Sequence, residues 1–322
     1  MKIGIDVQTT LGNKTGFGFY VSNLVKNLRK ESPMHQYFLF APQTEKDFSA
    51  PRRFWWDQVV LPRQSFKNKV NILHQPAFSA PVFYPGKVVC TVHDLIAVFY
   101  GKDIPFWSQQ YFGRWMPFTY RFADHIIAVS KHTKKDLKNF LKIPDEKITV
   151  IPLAVDEIFE REAKLSDVLE IKKKYQITHP YLLHVGTISP RKNLEFLVRV
   201  FAAVAAKKPD LQLVITGKKG WYFENLFQLI EDLGLKDKVI FTGYIPDQDK
   251  PALYRGAILF VFPSLYEGVG LPLLEAMRSS CPLISSDVSS MPEVVGKAGI
   301  LLSPHDEQKT VEVYEKILHN HS

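Results

Sequence analysis

The chain has 322 residues, of which 46% are hydrophobic and 23% charged, and its formal net charge is +8. This length exceeds that of a usual single domain, so two globular domains are the first expectation. The two cysteines, Cys90 and Cys281, are far apart and neither lies in a Cys-x-x-Cys pair, which argues against a disulfide framework or a zinc cluster. The positive charge favours anionic partners, namely phosphates, nucleic acid or an anionic membrane surface. The alternative is that the charge only provides solubility.

The N-terminal sequence MKIGIDVQTT has one lysine and a short apolar stretch that Asp6 interrupts. This is not the pattern of a signal peptide. No apolar run approaches the roughly 20 residues that a membrane-spanning helix requires. We therefore expect a cytoplasmic protein that could make peripheral contact with the inner face of the membrane.

Short apolar runs alternate with helical patterns in the first half of the chain. A helix is predicted over residues 20–30, because Val21, Leu24, Val25 and Leu28 fall on one face. The runs interpreted as buried strands are residues 2–7, 37–42, 57–62, 71–76, 88–94 and 125–130. Strands that alternate with helices indicate a parallel sheet covered on both faces.

The second half repeats this scheme. Its predicted strands are residues 181–186, 211–217, 238–245, 257–264 and 281–287, and its predicted helices include 193–207 and 223–234. The sequence thus predicts an α/β protein with two doubly wound, Rossmann-like domains, residues 1–153 and 154–322, joined near residues 150–159. Ligands of such folds bind outside the carboxyl ends of the strands, so we expect the site in a cleft where the two domains face each other.

A glycine-rich turn lies between two glutamates in the sequence LYEGVGLPLLEAM, residues 265–277. The predicted strand 257–264 ends there, and a helix is expected to begin with Pro272 as its first residue. Gly268 and Gly270 allow close approach of a ligand, and free amides at a helix start favour phosphate. Carboxylates at Glu267 and Glu275 could bind sugar hydroxyls. The alternative is a helix start with two solvated glutamates.

This turn resembles the signature of the retaining glycosyltransferases of family 4, which have the GT-B fold. Other segments resemble family segments in the same order along the chain: residues 93–100, 123–137, 147–156, 186–201, 241–257 and 291–299. The resemblance covers nearly the whole chain and is far more specific than any single motif. It implies that residues 1–153 bind the acceptor and residues 154–322 bind a nucleotide-sugar donor.

The resemblance also implies how a donor diphosphate would be held. Arg191 and Lys192 would neutralise it, together with the backbone amides of four residues, Gly268, Val269, Gly270 and Leu271. Many relatives have an additional arginine where this chain has Thr187, so the cationic contribution depends on Arg191 and Lys192. The alternative, an exposed basic helix start, is unfavourable because cations there oppose the helix dipole.

The remaining donor contacts are implied in the same way. Glu267 would orient the sugar and stabilise positive charge, Glu275 would bind the ribose, and Gly186 opens the phosphate-binding segment. The ring or backbone of His93 would touch the sugar near the reacting carbon, unless that histidine is only structural. Gly16 would approach the donor phosphates, and Tyr244 and Ile245 would contact the nucleobase through their backbone.

Two further patterns have competing interpretations. Asp247-Gln-Asp249 mimics a metal-binding D-x-D motif, but its position before a helix favours a helix cap. The aromatic residues Trp107, Tyr111, Trp115, Phe118 and Phe122 fall on one helical stripe, with Pro117 as a kink. Core packing is the preferred interpretation of this stripe, and a surface that contacts acceptor or membrane is the alternative.

The function implied is the transfer of a hexose, with mannose as the first candidate, to a glycan or lipid-linked glycan in surface polysaccharide synthesis. GDP-mannose is the first donor candidate, and UDP-sugars remain open. No metal or other cofactor is expected, and nucleic acid is not an expected partner. The alternatives are a nucleotide-sugar epimerase of similar fold and a non-catalytic protein that binds nucleotide-sugar or glycan.

Overall fold

A computed structural model of the protein describes all residues except 12–15, 44–47, 102–104, 161, 219, 221–223 and 320–322. The chain divides into two compact units, Met1–Leu153 (unit 1) and Ala154–Ser322 (unit 2). Each unit is built around one six-stranded sheet in which all the paired strands run parallel. No helix in the described part of the chain is both long enough and apolar enough to cross a membrane.

The sheet of unit 1 has the strand order β2-β1-β3-β4-β5-β6. Its strands are β1 Lys2–Asp6, β2 Gln36–Phe40, β3 Ile72–Gln75, β4 Lys87–Val92, β5 His125–Ala128 and β6 Ile148–Val150. Its helices are α1 Gly16–Glu31, α2 Ala50–Trp55, α3 Leu61–Lys67, α4 Ile96–Phe99, α5 Phe106–Ser108, α6 Met116–Thr119 and α7 Lys131–Leu141. Single helical turns lie at Gln8–Thr10, Tyr120–Phe122 and Asp145–Lys147.

The sheet of unit 2 has the strand order β12-β11-β10-β7-β8-β9. Its strands are β7 Tyr181–Val185, β8 Gln212–Thr216, β9 Val239–Gly243, β10 Leu259–Phe262, β11 Leu283–Ser286 and β12 Ile300–Leu302. Its helices are α8 Leu165–Lys174, α9 Leu194–Lys207, α10 Glu224–Asp232, α11 Lys250–Gly256, α12 Leu271–Arg278, α13 Met291–Val295 and α14 Glu307–His319. Single turns lie at Glu157–Phe159, Pro190–Lys192 and Asp247–Asp249.

The apolar residues of unit 2 form two cores, one on each face of its sheet. Leu197, Phe201 and Val204 of α9 pack on one face, together with Tyr314 and Leu318 of α14. Residues of α8, α11 and α12 pack on the other face with the strand residues Phe260 and Phe262. Burial on both faces explains why these strands are continuous apolar runs rather than alternating ones.

The strand prediction for residues 57–62 is wrong, because this segment is helical. A π-helical stretch, Trp56–Val60, joins α2 to α3 without a break. A short apolar run does not distinguish a buried strand from a buried helix, and Trp56 and Leu61 are buried here on the helix. Pro62 is accommodated in the helix directly after the π-helical stretch, and Pro117 likewise follows the π-helical stretch Gln109–Trp115.

The preferred interpretation of the aromatic stripe is also wrong for most of its residues. Tyr111 is buried, but the exposed fractions are 67% for Trp107, 43% for Phe118 and 46% for Phe122. A π-helical turn takes up more residues than an α-helical turn. Residues spaced for an α-helix therefore do not stay on one face across Gln109–Trp115.

A buried polar network of Asp6, Arg53, Asp57, Ser79 and Tyr111 lies at the carboxyl ends of β1 and β3. Asp57, fully buried, accepts hydrogen bonds from Ser79 Oγ at 2.7 Å and from the Tyr111 hydroxyl. The Arg53 guanidinium lies 3.6 Å from the Asp6 carboxylate and 3.7 Å from that of Asp57. Burial raises the pKa of Asp57 to about 7, although Arg53 acts in the opposite direction.

We expect this network to make the stability of unit 1 fall as pH rises. The folded-state pKa of Asp57 lies above its unfolded value, so the protonated carboxyl stabilises the folded state at low pH. This contribution is lost between about pH 4 and pH 7. Tryptophan fluorescence during thermal unfolding reports mainly on unit 1, which contains four of the five tryptophans.

The matched variants are Asp57→Asn, which cannot titrate, and Glu146→Gln, an exposed substitution in the same unit. Asp57→Asn should flatten the pH dependence of the melting temperature, and Glu146→Gln should leave it unchanged. Identical pH profiles for wild type and Asp57→Asn would show that Asp57 does not titrate in this range.

Candidate active site

The strand order of unit 2 places two loops at the centre of its sheet. Counted within the unit, the order is 3-2-1-4-5-6, that of a dinucleotide-binding sheet, and it reverses direction between β7 and β10. The loop after β7 carries Arg191 and Lys192, and the loop after β10 carries Glu267. Ligands of doubly wound sheets bind at such a reversal, so these three charged side chains lie where a ligand is expected.

The structure brings these three side chains into one buried cluster. Lys192 Nζ donates to Glu267 Oε1 at 2.6 Å, and the Arg191 guanidinium is paired with the same oxygen. The exposed side-chain fractions are only 7% for Lys192, 9% for Glu267 and 17% for Arg191. Two cations and one anion leave this group, the ion cluster, with an excess positive charge.

The electrostatic balance of the cluster favours an ionised Glu267. Burial acts to raise the pKa of this carboxyl, but Lys192 and then Arg191 outweigh it and hold the pKa below its usual value. Lys192 Nζ also lies 4.6 Å from the centroid of the Phe262 ring, an additional favourable contact for a buried cation. The cluster is therefore charged at neutral pH.

Backbone and side-chain contacts fix the two loops to each other. The Leu265 amide donates to the Arg191 carbonyl at 2.9 Å, and Arg191 donates to the Tyr266 carbonyl at 2.7 Å. The hydroxyls of Ser289 and Ser290 donate to the Glu267 carbonyl at 2.8 and 2.9 Å. These two serines were not predicted, because nothing in the spacing of small polar residues indicates the contact.

A row of backbone N–H donors lies at the start of α12. The amides of Gly268, Val269, Gly270 and Leu271 have no hydrogen-bond partner among the described residues. Such amides, with the helix dipole behind them, attract an anion. Pro272 is the second residue of α12, not the first as predicted, since the helix begins at Leu271.

Steric constraints explain why glycine occupies two positions near the site. Gly270 has a φ of +77°, in the left-handed region that disfavours side chains, and it turns the chain into α12. A Cβ on Gly186 would lie 3.1 Å from Cε and 3.3 Å from Nζ of Lys192. Gly186 therefore leaves the space through which the Lys192 side chain reaches Glu267.

Glu275 belongs to a second, largely buried group on α11 and α12. The Tyr254 hydroxyl donates to Glu275 Oε2 at 2.8 Å, and Lys250 Nζ lies 3.6 Å from Oε1. Burial raises the pKa of Glu275, and the opposing charge of Lys250 is not sufficient to cancel this effect. Tyr254 and Lys250 were not predicted, although their four-residue spacing places them on one face of α11.

The other predicted residues of unit 2 follow β9. Tyr244 is 54% exposed and Lys218 Nζ lies 5.2 Å from the centroid of its ring, whereas Ile245 is buried. The predicted helix cap at Asp247 is wrong, because its carboxylate pairs with Lys250 at 2.6 Å instead of capping a helix amide. Asp249 accepts hydrogen bonds from Lys174 and Tyr175, so the two aspartates have different partners.

His93 and Gly16 belong to unit 1. His93 follows β4, and its ring packs on Phe17 and Tyr20 of α1 at centroid distances of 4.7 and 4.9 Å. Its Nε2 lies 2.9 Å from the Pro76 carbonyl, which can only accept, so Nε2 carries the hydrogen and Nδ1 is an acceptor. Burial lowers the pKa of His93 to about 4, so the ring is neutral at neutral pH. Gly16 begins α1, while the preceding loop residues 12–15 lie outside the described residues.

Among the described residues, no group of three or more His, Cys, Asp or Glu side chains is placed to hold a metal ion. Cys90 and Cys281 are both buried free thiols. Burial raises the pKa of Cys281 to about 12 and that of Cys90 further. Neither cysteine is a thiolate at neutral pH.

The fold defines the class of protein. The structure of HepE from Anabaena in complex with UDP and glucose matches 99% of this chain and 90% of its own, with a TM-score of 0.72 and 17% identity. At this identity the likeness shows the fold. The prediction of an α/β protein of the GT-B class is confirmed.

Sequence comparison gives the family. Residues 15–158 match the family model described as Glycosyltransferase Family 4, and residues 167–322 match the model described as Glycosyl transferases group 1. The chain belongs to this glycosyltransferase family, as its motifs indicated.

Two relatives from Escherichia coli are mannosyltransferases by name. The O-antigen chain mannosyltransferase B is 32% identical over 237 residues, which is 73% of this chain. The serotype-specific mannosyltransferase WbdA is 34% identical over 242 residues, also 73% of this chain. The matches span 62% and 29% of these relatives' own lengths.

Replacement of Glu267 by glutamine should destabilise unit 2, because it leaves two cations without their buried counter-charge. Breaking one side of a buried ion pair costs about 3 kcal/mol. The unfolding midpoint in urea should fall accordingly at pH 7. The loss should shrink in acid, since the folded-state pKa of Glu267 is lowered and its contribution disappears as pH falls through that value.

Glu312→Gln, an exposed substitution on α14, is the matched control and should leave the midpoint unchanged. Equal urea midpoints for Glu267→Gln and Glu312→Gln would contradict the stabilising role of the ion cluster.

Proposed function

We propose that the protein transfers mannose from GDP-mannose to a growing surface glycan and retains the configuration of the anomeric carbon. Membership in a glycosyltransferase family and the names of the two E. coli relatives support a mannosyl donor. The observation that carries the proposal is the ion cluster beside the four unpaired amides at the start of α12. This arrangement suits a diphosphate that becomes more negative as the sugar departs.

Binding of the donor uses charges that the folded protein already holds in place. Arg191 and Lys192 are fixed by Glu267, so little side-chain entropy is lost when phosphate oxygens approach them. The amides of Gly268, Val269, Gly270 and Leu271 donate to the same diphosphate. Gly186 keeps the space beside Lys192 open.

The reaction proceeds on one face of the sugar. The bond between the anomeric carbon and the phosphate oxygen breaks first, and positive charge develops on the sugar ring. The acceptor hydroxyl then forms the new bond to that carbon, and its proton passes to the departing phosphate oxygen. GDP and the glycoside are the products, and no covalent intermediate with the protein is needed. Glu267 acts by holding the two cations and by placing negative charge near the developing cation.

Other residues hold the ends of the donor. Glu275 accepts hydrogen bonds from the ribose hydroxyls, with Tyr254 fixing one of its oxygens. The backbone at Tyr244 and Ile245 contacts the guanine. His93 is neutral and presents Nδ1 as an acceptor, which suits a sugar hydroxyl. The backbone at Gly16 approaches the phosphates.

No metal ion is required in this proposal, because Arg191, Lys192 and the helix amides supply the positive charge. Residues 1–153 are proposed to bind the acceptor glycan and residues 154–322 the donor. Contact with an anionic membrane is part of the same proposal, since a lipid-linked acceptor would be presented there.

Lys192→Met should lower kcat/KM for transfer by about 10²–10³-fold, the usual effect of removing one group that stabilises developing charge. The measurement follows GDP release and product formation with GDP-mannose and a short mannose oligosaccharide. Lys173→Met, an exposed substitution on α8, is the matched control and should retain activity.

The same assay distinguishes a retaining glycosyltransferase from an epimerase and from a binding protein. A product with the anomeric configuration of the donor supports the proposal, and an inverted product contradicts the front-face mechanism. Loss of transfer on addition of a chelator would contradict the metal-free arrangement. Conversion of donor without acceptor would indicate an epimerase, and donor binding without turnover would indicate a binding protein.

Tyr254→Phe should weaken GDP binding about threefold to tenfold, because Glu275 loses the hydrogen bond that orients it. Titration calorimetry with GDP measures this effect. The control is Tyr175→Phe, since Tyr175 donates to Asp249 and not to Glu275. Equal GDP affinities for Tyr254→Phe and wild type would contradict the role of Glu275 as ribose ligand.

A further inference from the structure

Unit 1 carries an aromatic groove that is separate from the residues assigned to the donor. It is an open groove between α2 and the helical segment 106–122, with a volume of about 550 Å³. Its walls are formed by Phe54, Trp107, Trp115 and Phe118, with Tyr111 at its base and Arg114 at its edge. This volume is typical of a pocket for a small molecule.

The rings around the groove form a continuous surface that remains open to solvent. The ring centroids of Trp115 lie 5.1 Å from Phe54 and 5.9 Å from Phe118, and Phe118 lies 5.4 Å from Phe122. Phe54 is 39% exposed and Trp107 is 67% exposed. Contiguous exposed aromatic area of this kind marks a binding surface, because it costs free energy in water.

The two chain segments that form the groove carry more basic than acidic residues. Residues 48–70 and 105–122 contain seven arginines and lysines and a single acidic residue, Asp57. Asp57 is fully buried, beneath Tyr111, so it presents no carboxylate to a ligand. Arg114 lines the groove and is exposed, so it would attract an anionic group there.

Several polar groups that line the groove are already bonded within the protein, although the buried Trp115 Nε1 has no hydrogen-bond partner among the described residues. The Tyr111 hydroxyl is paired with Asp57 and lies 3.2 Å from Ser79 Oγ. Gln110 Oε1 accepts from Arg114 at 3.2 Å. A glycan would need several convergent polar partners. An apolar chain needs none, and most of the lining residues are aromatic or aliphatic, so this lining favours hydrocarbon over sugar as the occupant.

We propose that this groove holds one hydrocarbon chain of an anionic lipid, namely the lipid that carries the acceptor glycan. The chain lies against Trp107, Trp115 and Phe118, and the lipid phosphate meets Arg114. The identity of the lipid as acceptor carrier rests on the proposed function, whereas the binding of an anionic hydrocarbon chain does not.

Binding is tested with decyl phosphate as a single-chain probe, below the concentration at which it forms micelles. Tryptophan fluorescence should change saturably with one probe per protein. Trp107→Ala and Phe118→Ala should each weaken binding at least tenfold, and both positions are exposed, so folding should survive. Phe83→Ala, an 89% exposed phenylalanine elsewhere in unit 1, is the matched control. Melting temperature and GDP affinity verify that each variant is folded.

The length of the probe's alkyl chain distinguishes binding through the hydrocarbon from binding through the phosphate. Octyl phosphate should bind roughly tenfold or more weakly than decyl phosphate, since each buried methylene contributes about a fourfold change in affinity. Equal affinities for both probes, full competition by inorganic phosphate, or equal effects of Phe83→Ala and Trp107→Ala would overturn the groove as a hydrocarbon site.

The role of the lipid is tested by kinetics with two acceptors. Trp107→Ala should raise KM for a lipid-linked oligosaccharide in phosphatidylglycerol-containing micelles at least fivefold, and leave KM for the lipid-free oligosaccharide unchanged. If the variant loses decyl phosphate binding but both KM values stay the same, the groove does not hold the acceptor carrier. If no acceptor is glycosylated by wild type, the proposed function fails while the binding result stands.

Discussion

The pairing of one buried carboxylate with two cations organises the candidate site. Glu267 is fixed by Lys192 and Arg191, and these residues come from loops that follow two different strands, β7 and β10. The strand order forces those loops together at the centre of the sheet. Without the carboxylate, two like charges would be buried side by side, and this would strongly destabilise the folded state. The same pairing leaves both cations in place for an anionic ligand.

The arrangement of unit 2 was largely predictable from the sequence, because its strands are continuous apolar runs that end in glycine or polar residues. The turn around Gly268 and Gly270 was located for the same reason. The partners of Glu275 were not, since Tyr254 and Lys250 lie on α11 and reach it only through the packing of α11 on α12. Contacts made by packing of separate elements have no local signature in one sequence.

Unit 1 was harder to predict because two of its helical segments contain π-helical stretches. These stretches break the 3.6-residue periodicity from which buried faces are inferred. Residues 57–62 were interpreted as a strand because they are a short apolar run, and the aromatic stripe from Trp107 to Phe122 was interpreted as core because an α-helical spacing was assumed. The outcome is a surface groove whose base is fixed by the buried pair of Tyr111 and Asp57. The exposed aromatic side chains thus lie in or beside helical segments of irregular periodicity.

The central claim is that the ion cluster binds the diphosphate of a nucleotide-sugar. Calorimetric titration of wild type and Lys192→Met with GDP and with guanosine tests it most directly. The account predicts that GDP binds wild type much more tightly than guanosine does, and that Lys192→Met weakens GDP binding at least tenfold without changing guanosine binding. Equal GDP affinities for wild type and Lys192→Met would contradict it.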